Sequence, residues 1–131
     1  TLFPAGTTCD GLASLIDLFP TWLDLTGLPR PESLEGRSLV RALEGEPDPD
    51  DCAVFAEFYS KGVAERMIRT PAYKYIYTHT DMPQLYDVEH DPLEQKNLTA
   101  DSAYDDQRAT LHAQLMADWE IDLDQDWKGY A

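Results

Sequence analysis

From Ala53 onward the hydrophobic pattern repeats every two residues, and this feature most limits what the chain can fold into. Four runs, Ala53 to Tyr59, Ala64 to Thr70, Tyr73 to His79 and Gln84 to Val88, are rich in aromatic and aliphatic residues. Such runs suit the pleated, half-buried surface of a β-strand. They are joined by Ser60-Lys61-Gly62, Thr70-Pro71-Ala72 and Thr80-Asp81-Met82-Pro83. A parallel pair needs a crossover of a dozen residues or more, so connections this short force antiparallel neighbours. The expectation is a four-stranded antiparallel meander. One face of it is buried, and in its first strand Val54, Ala56 and Phe58 point away from Phe55, Glu57 and Tyr59.

The sequence after the meander supplies cover for that face. Asp91-Pro92 to Asn97-Leu98 has turn chemistry with room for one helical turn. Ser102 is placed to open the longest helix, with Asp105 completing a Ser-x-x-acidic capping box. Tyr104, Arg108, Leu111, Leu115 and Trp119 follow the helical spacing and form one stripe that can lie across the sheet. Tyr73, Tyr75 and Tyr77 line one face of the third strand. Packing beneath the helix is their expected role, and an aromatic wall facing a substrate is the alternative. The tail from Ile121 is acidic and carries a lone Trp127.

The first part of the chain reads differently. Leu12, Ala13, Leu15 and Ile16 suggest a short buried strand running into a helix. Asp17 is a suitable N-cap, Pro20 fits the first turn, and Gly27 followed by Pro29 marks the C-terminus. Leu18, Trp22 and Leu25 then share one face, and Ser38 to Glu44 makes about two further helical turns closed by Gly45. Glu46-Pro47-Asp48-Pro49-Asp50-Asp51 is acidic, proline-rich and aperiodic, as a linker is. The expected division is residues 1–50, the end of an α/β layer, and residues 51–131, an α+β sheet-and-helix unit.

Composition narrows the partners. The 25 acidic and 10 basic residues give a net charge of −15, which repels phosphate backbones and anionic membranes. Nucleic acid and membrane are therefore not expected, and solubility in high salt is a second reading of the acidity. The two cysteines, Cys9 and Cys52, are too few for a disulfide framework and lie in no C-x-x-C pair, so both are expected to be small buried hydrophobes. No apolar run approaches the roughly 20 residues that cross a bilayer. Because the chain opens at Thr1 without Met, the expectation is that any leader lies upstream.

Catalytic groups are hard to find. There is no G-x-S-x-G, Walker loop, G-x-G-x-x-G or H-E-x-x-H. His79, His90 and His112 lack a second ligand at useful spacing, and the Asp48, Asp50, Asp51 loop lacks both the Gly and the distal Glu of a Ca²⁺ loop. No catalytic or metal residue is assigned. Glu57 stands apart, because a carboxylate between Ala56 and Phe58 is costly if buried unpaired. A salt bridge to Arg66 or Arg69 is one reading; a carboxylate aimed at a substrate cation is the other.

Three ordered blocks carry a resemblance. The first is Leu15-Ile16-Asp17-Leu18-Phe19-Pro20-Thr21, continuing through Leu23-Asp24-Leu25-Thr26-Gly27 to Leu34-Glu35-Gly36-Arg37-Ser38-Leu39. The second is Met67-Ile68-Arg69-Thr70 with Tyr73-Lys74-Tyr75-Ile76. The third is Gln84-Leu85-Tyr86-Asp87-Val88-Glu89 with Asp91-Pro92, Glu94 and Asn97-Leu98. Together they resemble the C-terminal portion of a sulfatase, of the alkaline phosphatase superfamily.

The resemblance implies that residues to about 45 are the last strand and helices of a large α/β domain, and that the remainder is a small subdomain. It implies, for a complete enzyme, a formylglycine made from the Cys or Ser of C/S-x-P-x-R and a divalent cation, Ca or Mg. Neither Cys9-Asp10-Gly11 nor Cys52-Ala53-Val54 fits that motif, so the resemblance carries no catalytic residue onto this chain, and this piece alone is expected to be inactive. Its implied partner is its own N-terminal catalytic domain, and a homo-oligomer contact is possible. Phe55-Ala56-Glu57-Phe58-Tyr59 with Gly62 resembles the choline-sulfatase branch, which implies that Glu57 contacts substrate. The phosphonate and phosphodiester hydrolases of the same superfamily, and a stand-alone interaction domain, are the alternatives.

Overall fold

The computed structural model describes residues 3, 5–6, 8–46, 52–60, 63–79 and 81–117, which fall into two units, Thr1–Val54 and Phe55–Ala131. The linker residues Pro47 to Asp51, Trp119 and the tail with Trp127 lie outside the described residues.

In the first unit the expected strand does not form. Residues 12–14 are irregular, Leu15–Asp17 make a 3-10 turn, and helix α1, Leu18–Thr26, follows directly. Two physical reasons account for this. The Oδ2 of Asp17 accepts the Ser14 N–H at 2.8 Å, which draws the segment into a tight turn. An isolated strand would also leave its backbone groups unpaired, since no described neighbour in this unit is a strand that could pair with it. Leu15 is 85% exposed rather than buried.

Asp17 does not cap α1 with its side chain. Its carboxylate instead reaches across the unit, where Oδ1 accepts the Arg37 N–H at 2.9 Å. Thr21 Oγ1 donates to the Asp17 carbonyl and accepts the Leu39 N–H at 2.9 Å. Arg37 Nη2 donates to the Leu12 carbonyl at 2.6 Å. Three hydrogen bonds thus tie the loop that leads into α2, Val40–Leu43, to the start of α1 and the segment before it. At Gly36 the loop passes so close that an added Cβ would lie 2.5 Å from the Ile16 carbonyl oxygen, and φ there is +82°. Gly27 ends α1 in the expected left-handed conformation, its N–H reaching the carbonyls of Asp24 and Leu23. The second helix is shorter than expected, because its first turn at Ser38 and Leu39 is spent on the Thr21 hydroxyl.

One consequence concerns the faces of α1. Its inward face is Pro20 and Thr21, following the buried Asp17, while Leu18, Phe19 and Trp22 point to solvent. The helix is inverted relative to an ordinary surface helix.

The second unit agrees with the meander. Strands β1 (Val54–Ser60), β2 (Val63–Arg69), β3 (Tyr73–Thr78) and β4 (Gln84–Asp87) form one four-stranded sheet in sequence order. The antiparallel register sets Ile68 opposite Tyr75 and Tyr75 opposite Leu85. That row is the floor of the core, and Leu111 and Leu115 of helix α3, Asp105–Ala117, complete it with Ala64, Val88 and Leu98. Burying each large aliphatic side chain contributes roughly 1.5–3 kcal/mol. The stripe expected on α3 is thereby realised for the described residues.

Three details differ from expectation. Asp101, one residue before Ser102, provides the cap by accepting the Ala103 N–H at 3.1 Å. The segment from Asp91 to Leu98 contains turns and no helical turn. Its end instead closes the outer edge of β4, with the Leu98 N–H donating to the Leu85 carbonyl and the Leu85 N–H donating to Asn97 Oδ1. On β1, residues 55–58 are all exposed, so over these residues neither face is buried, where one face was expected to be. Helix α3 packs over β2 and β3, and β1 lies at the end of the strand order.

The two glycines give a contrast. Gly36→Ala should destabilise the chain by about 2 kcal/mol or more, since it adds a backbone clash to an unfavourable φ. Gly27→Ala meets open space and should lose only the left-handed preference, about 1 kcal/mol. Denaturant unfolding followed by tryptophan fluorescence separates the two, and equal losses would contradict the close approach at Gly36.

Candidate functional site

The residues that carry the second and third sequence blocks converge, and they do so as scaffold. Lys74 on β3 forms a salt bridge of 2.6 Å to Glu94 in the turn after β4, both side chains being partly shielded. Glu94 sits at φ +54°, a left-handed conformation that a residue with a side chain seldom adopts. The turn is held by the Glu94 N–H on the Asp91 carbonyl at 3.0 Å and the Lys96 N–H on Asp91 Oδ2 at 2.9 Å. Proximity in sequence could not show this pairing, because the partners are separated by another strand.

The tyrosine face lies under α3. Tyr75 Oη sits 3.2 Å from Nδ1 of His112, and the His112 ring meets Tyr75 and Tyr77 edge-on. Tyr73 meets Tyr104 in the same way. Burial pushes the Tyr75 phenol above its ordinary pKa, with the Arg108 charge opposing it. Arg66, 3% exposed, faces the same side in register with Tyr77. Arg108 donates to the Thr99 carbonyl and pairs with Asp105 at 2.9 Å. These contacts make the tyrosines part of the helix–sheet interface.

Glu57 is exposed on β1, with Phe55 on the same side by strand alternation. It forms no salt bridge to Arg69, whose Nη1 donates instead to the Thr70 and Pro71 carbonyls. The structure therefore presents Glu57 to solvent without burial to offset. Phe55 and Phe58 are 43% and 58% exposed on either side of the strand. The histidines do not come together: His79 is exposed after β3, His112 is on α3, and His90 is in the turn after β4. Cys9 is exposed and Cys52 half-buried, so the expectation of two buried hydrophobes fails at Cys9, which precedes any packed element. Among the described residues no group of three or more His, Cys, Asp and Glu could hold a metal ion. Asp48, Asp50 and Asp51 lie outside the described residues.

His90 Nδ1 lies 3.0 Å from Asp87 Oδ1. The hydrogen bond from His90 holds the Asp87 carboxyl below its ordinary 3.8, and the same bond raises His90 above its ordinary 6.5. The signs define a window. The His90 contribution to stability is full below pH 6.5 and is lost as pH rises through the raised value. The Asp87 contribution is full above 3.8 and is lost as pH falls through the lowered value. The His90 resonance followed by NMR should therefore titrate with a midpoint above 6.5, and Asp87→Asn should bring it back down. An unchanged midpoint in the variant would dissolve the pair.

Comparison with known proteins places this geometry. The family model described as N-sulphoglucosamine sulphohydrolase, C-terminal, matches residues 1–120. The delta 4,5-hexuronate-2-O-sulfatase of Bacteroides thetaiotaomicron is 38% identical over 95 residues, 68% of this chain. A solved structure of a protein in complex with its substrate D-glucosamine-2-N,6-O-disulfate superposes with a TM-score of 0.78 at 26% identity over 88% of this chain. The phosphonate monoester hydrolase of Agrobacterium radiobacter superposes with a TM-score of 0.62 at 28% identity over 77% of it. The chain spans 20% of the length of the hexuronate sulfatase and 25% and 23% of the two solved chains.

Proposed function

The chain belongs to the sulfatase family, as the C-terminal portion of its members, and on that premise we propose that it completes a sulfuric-ester hydrolase whose catalytic groups lie in the preceding part of the same polypeptide. The observation that carries this reading is the inverted helix α1. Leu15, Leu18, Phe19 and Trp22, 85%, 42%, 52% and 62% exposed, form a contiguous apolar stretch of a kind that marks a covered surface in the assembled protein. Its occupant in this reading is the chain's own N-terminal catalytic domain.

Sulfatase relatives imply a divalent cation and a formylglycine in the complete enzyme, which supply the electrophilic and nucleophilic parts of sulfate transfer. The residues here do not fit either group. Neither cysteine lies in C/S-x-P-x-R, and no described cluster has a metal's donor set. No step of the reaction is therefore assigned to this chain.

Its contribution is a wall of the substrate pocket, with Glu57 and Phe55 as the contacting pair. A carboxylate repels a sulfate, so Glu57 acts at the end of the substrate away from the ester. There it accepts hydrogen bonds from a hydroxyl or holds a cationic group, while the Phe55 ring packs against an apolar face. A sulfated saccharide meets these requirements, and the hexuronate sulfatase and the glucosamine disulfate complex support that substrate class. The likeness to a phosphonate monoester hydrolase supports a second reading within the same superfamily, with lower coverage and a lower TM-score.

With Ca²⁺ or Mg²⁺ the complete polypeptide should hydrolyse 4-nitrophenyl sulfate, and faster than the matching phosphonate monoester, whereas this chain alone should hydrolyse neither. Preference for the phosphonate would favour the second reading, and turnover by the chain alone would refute the missing catalytic groups. Glu57→Gln in the complete enzyme should raise KM about tenfold for a sulfated amino sugar, the size of one charge-assisted hydrogen bond, and less for a neutral sugar. Equal losses would remove Glu57 from the pocket.

A further inference from the structure

The two edges of the sheet are treated differently by the chain. On the β4 side the Leu98 N–H reaches the Leu85 carbonyl, and Asn97 Oδ1 stands in for a strand carbonyl by accepting the Leu85 N–H. That edge is closed from within. On the β1 side, no backbone hydrogen bond from outside the sheet reaches the strand among the described residues. An edge strand left open is ordinarily blunted by Lys, Pro, a bulge or a covering loop. Val54-Phe55-Ala56-Glu57-Phe58 carries a single charge and no proline, and its two phenylalanines project to opposite faces, both exposed.

We propose that β1 is a docking strand, completed by an extended segment from the upstream part of the same polypeptide that pairs with its open edge and packs apolar residues against Phe58, on the face opposite Glu57. This rests on the reading of the chain as the C-terminal portion of a longer sulfatase. A second copy is the other candidate occupant, and two observations disfavour it. Edge-to-edge pairing of two copies would leave Phe58 still uncovered on its face of the strand. It would also join two chains of charge −15 and set the Glu57 carboxylates close together across the junction. An upstream segment has the length to cover an edge and the Phe58 face, since the relative matched at 38% identity, of which the 95 aligned residues are 20%, is more than three times as long as this chain. The same arrangement fixes β1 and so holds Glu57 at a set place relative to the catalytic part.

The test uses the complete polypeptide, with Phe58 replaced by the photo-crosslinking analogue p-benzoylphenylalanine and, in a second preparation, Ala56 on the same face replaced likewise. Irradiation should give a product of monomer mass in which the analogue is joined to a peptide preceding Thr1. Amide exchange at residues 54–60 of the unmodified protein should be slowed about 100-fold or more relative to open turns. A cross-linked product of dimer mass would overturn the proposal in favour of a second copy. Fast exchange with no cross-link, or cross-links confined to residues 55–131, would overturn it outright. Hydrolysis of 4-nitrophenyl sulfate by the unmodified complete polypeptide keeps the two readings apart, because an inactive protein whose Phe58 analogue still gives an upstream cross-link would sink only the sulfatase reading.

Discussion

Leu111 and Leu115 lying on the row Ile68, Tyr75 and Leu85 are the contact on which the second unit depends. An antiparallel meander alone is marginal in water, and a helix across one face supplies the apolar burial it lacks. Everything else in the unit follows from keeping that helix in place. Asp101 starts it, Arg108 ties it to the Thr99 carbonyl, and the turn from Asp87 to Leu98 sets its approach while closing β4. The polar contact of Tyr75 with His112 fixes which way the helix faces. A hydrophobic row alone would tolerate sliding.

The first unit reaches order by another route. Its centre is a carboxylate rather than a hydrophobic cluster, and Asp17 is buried because the N–H groups of Ser14 and Arg37 replace its water. With Pro20 and Thr21 turned inward behind Asp17, Leu18, Phe19 and Trp22 are left outside. The two units are thus different kinds of structure, one with its own core and one organised around hydrogen bonds.

Period-two alternation and short connections were enough to specify the strands from Val54 to Asp87, because both signals are local. Glycine at 27 and 45 marked helix ends for the same reason. The strand placed at Leu12 to Ile16 failed because an apolar run says only that side chains are to be covered and says nothing of what covers them. Asp17 was recognised as a helix-start residue, yet its partner, the amide of Arg37, lies 20 positions away and has no sequence signature. Glu57 was singled out for being a charge in an apolar run. Its exposure depends on β1 being an edge strand and on α3 packing over β2 and β3, which are tertiary facts.

Glu94 has a consequence for how this turn can vary. Its backbone conformation is one that glycine or asparagine adopts more easily, while its carboxylate is what Lys74 requires. The two demands pull towards different residues, and glutamate meets the second at some cost to the first. Drift at position 94 therefore trades ease of the local backbone against charge on the sheet, and a change there becomes neutral only when position 74 changes with it. The turn and the third strand are in this sense one heritable unit, although 19 residues separate the two positions.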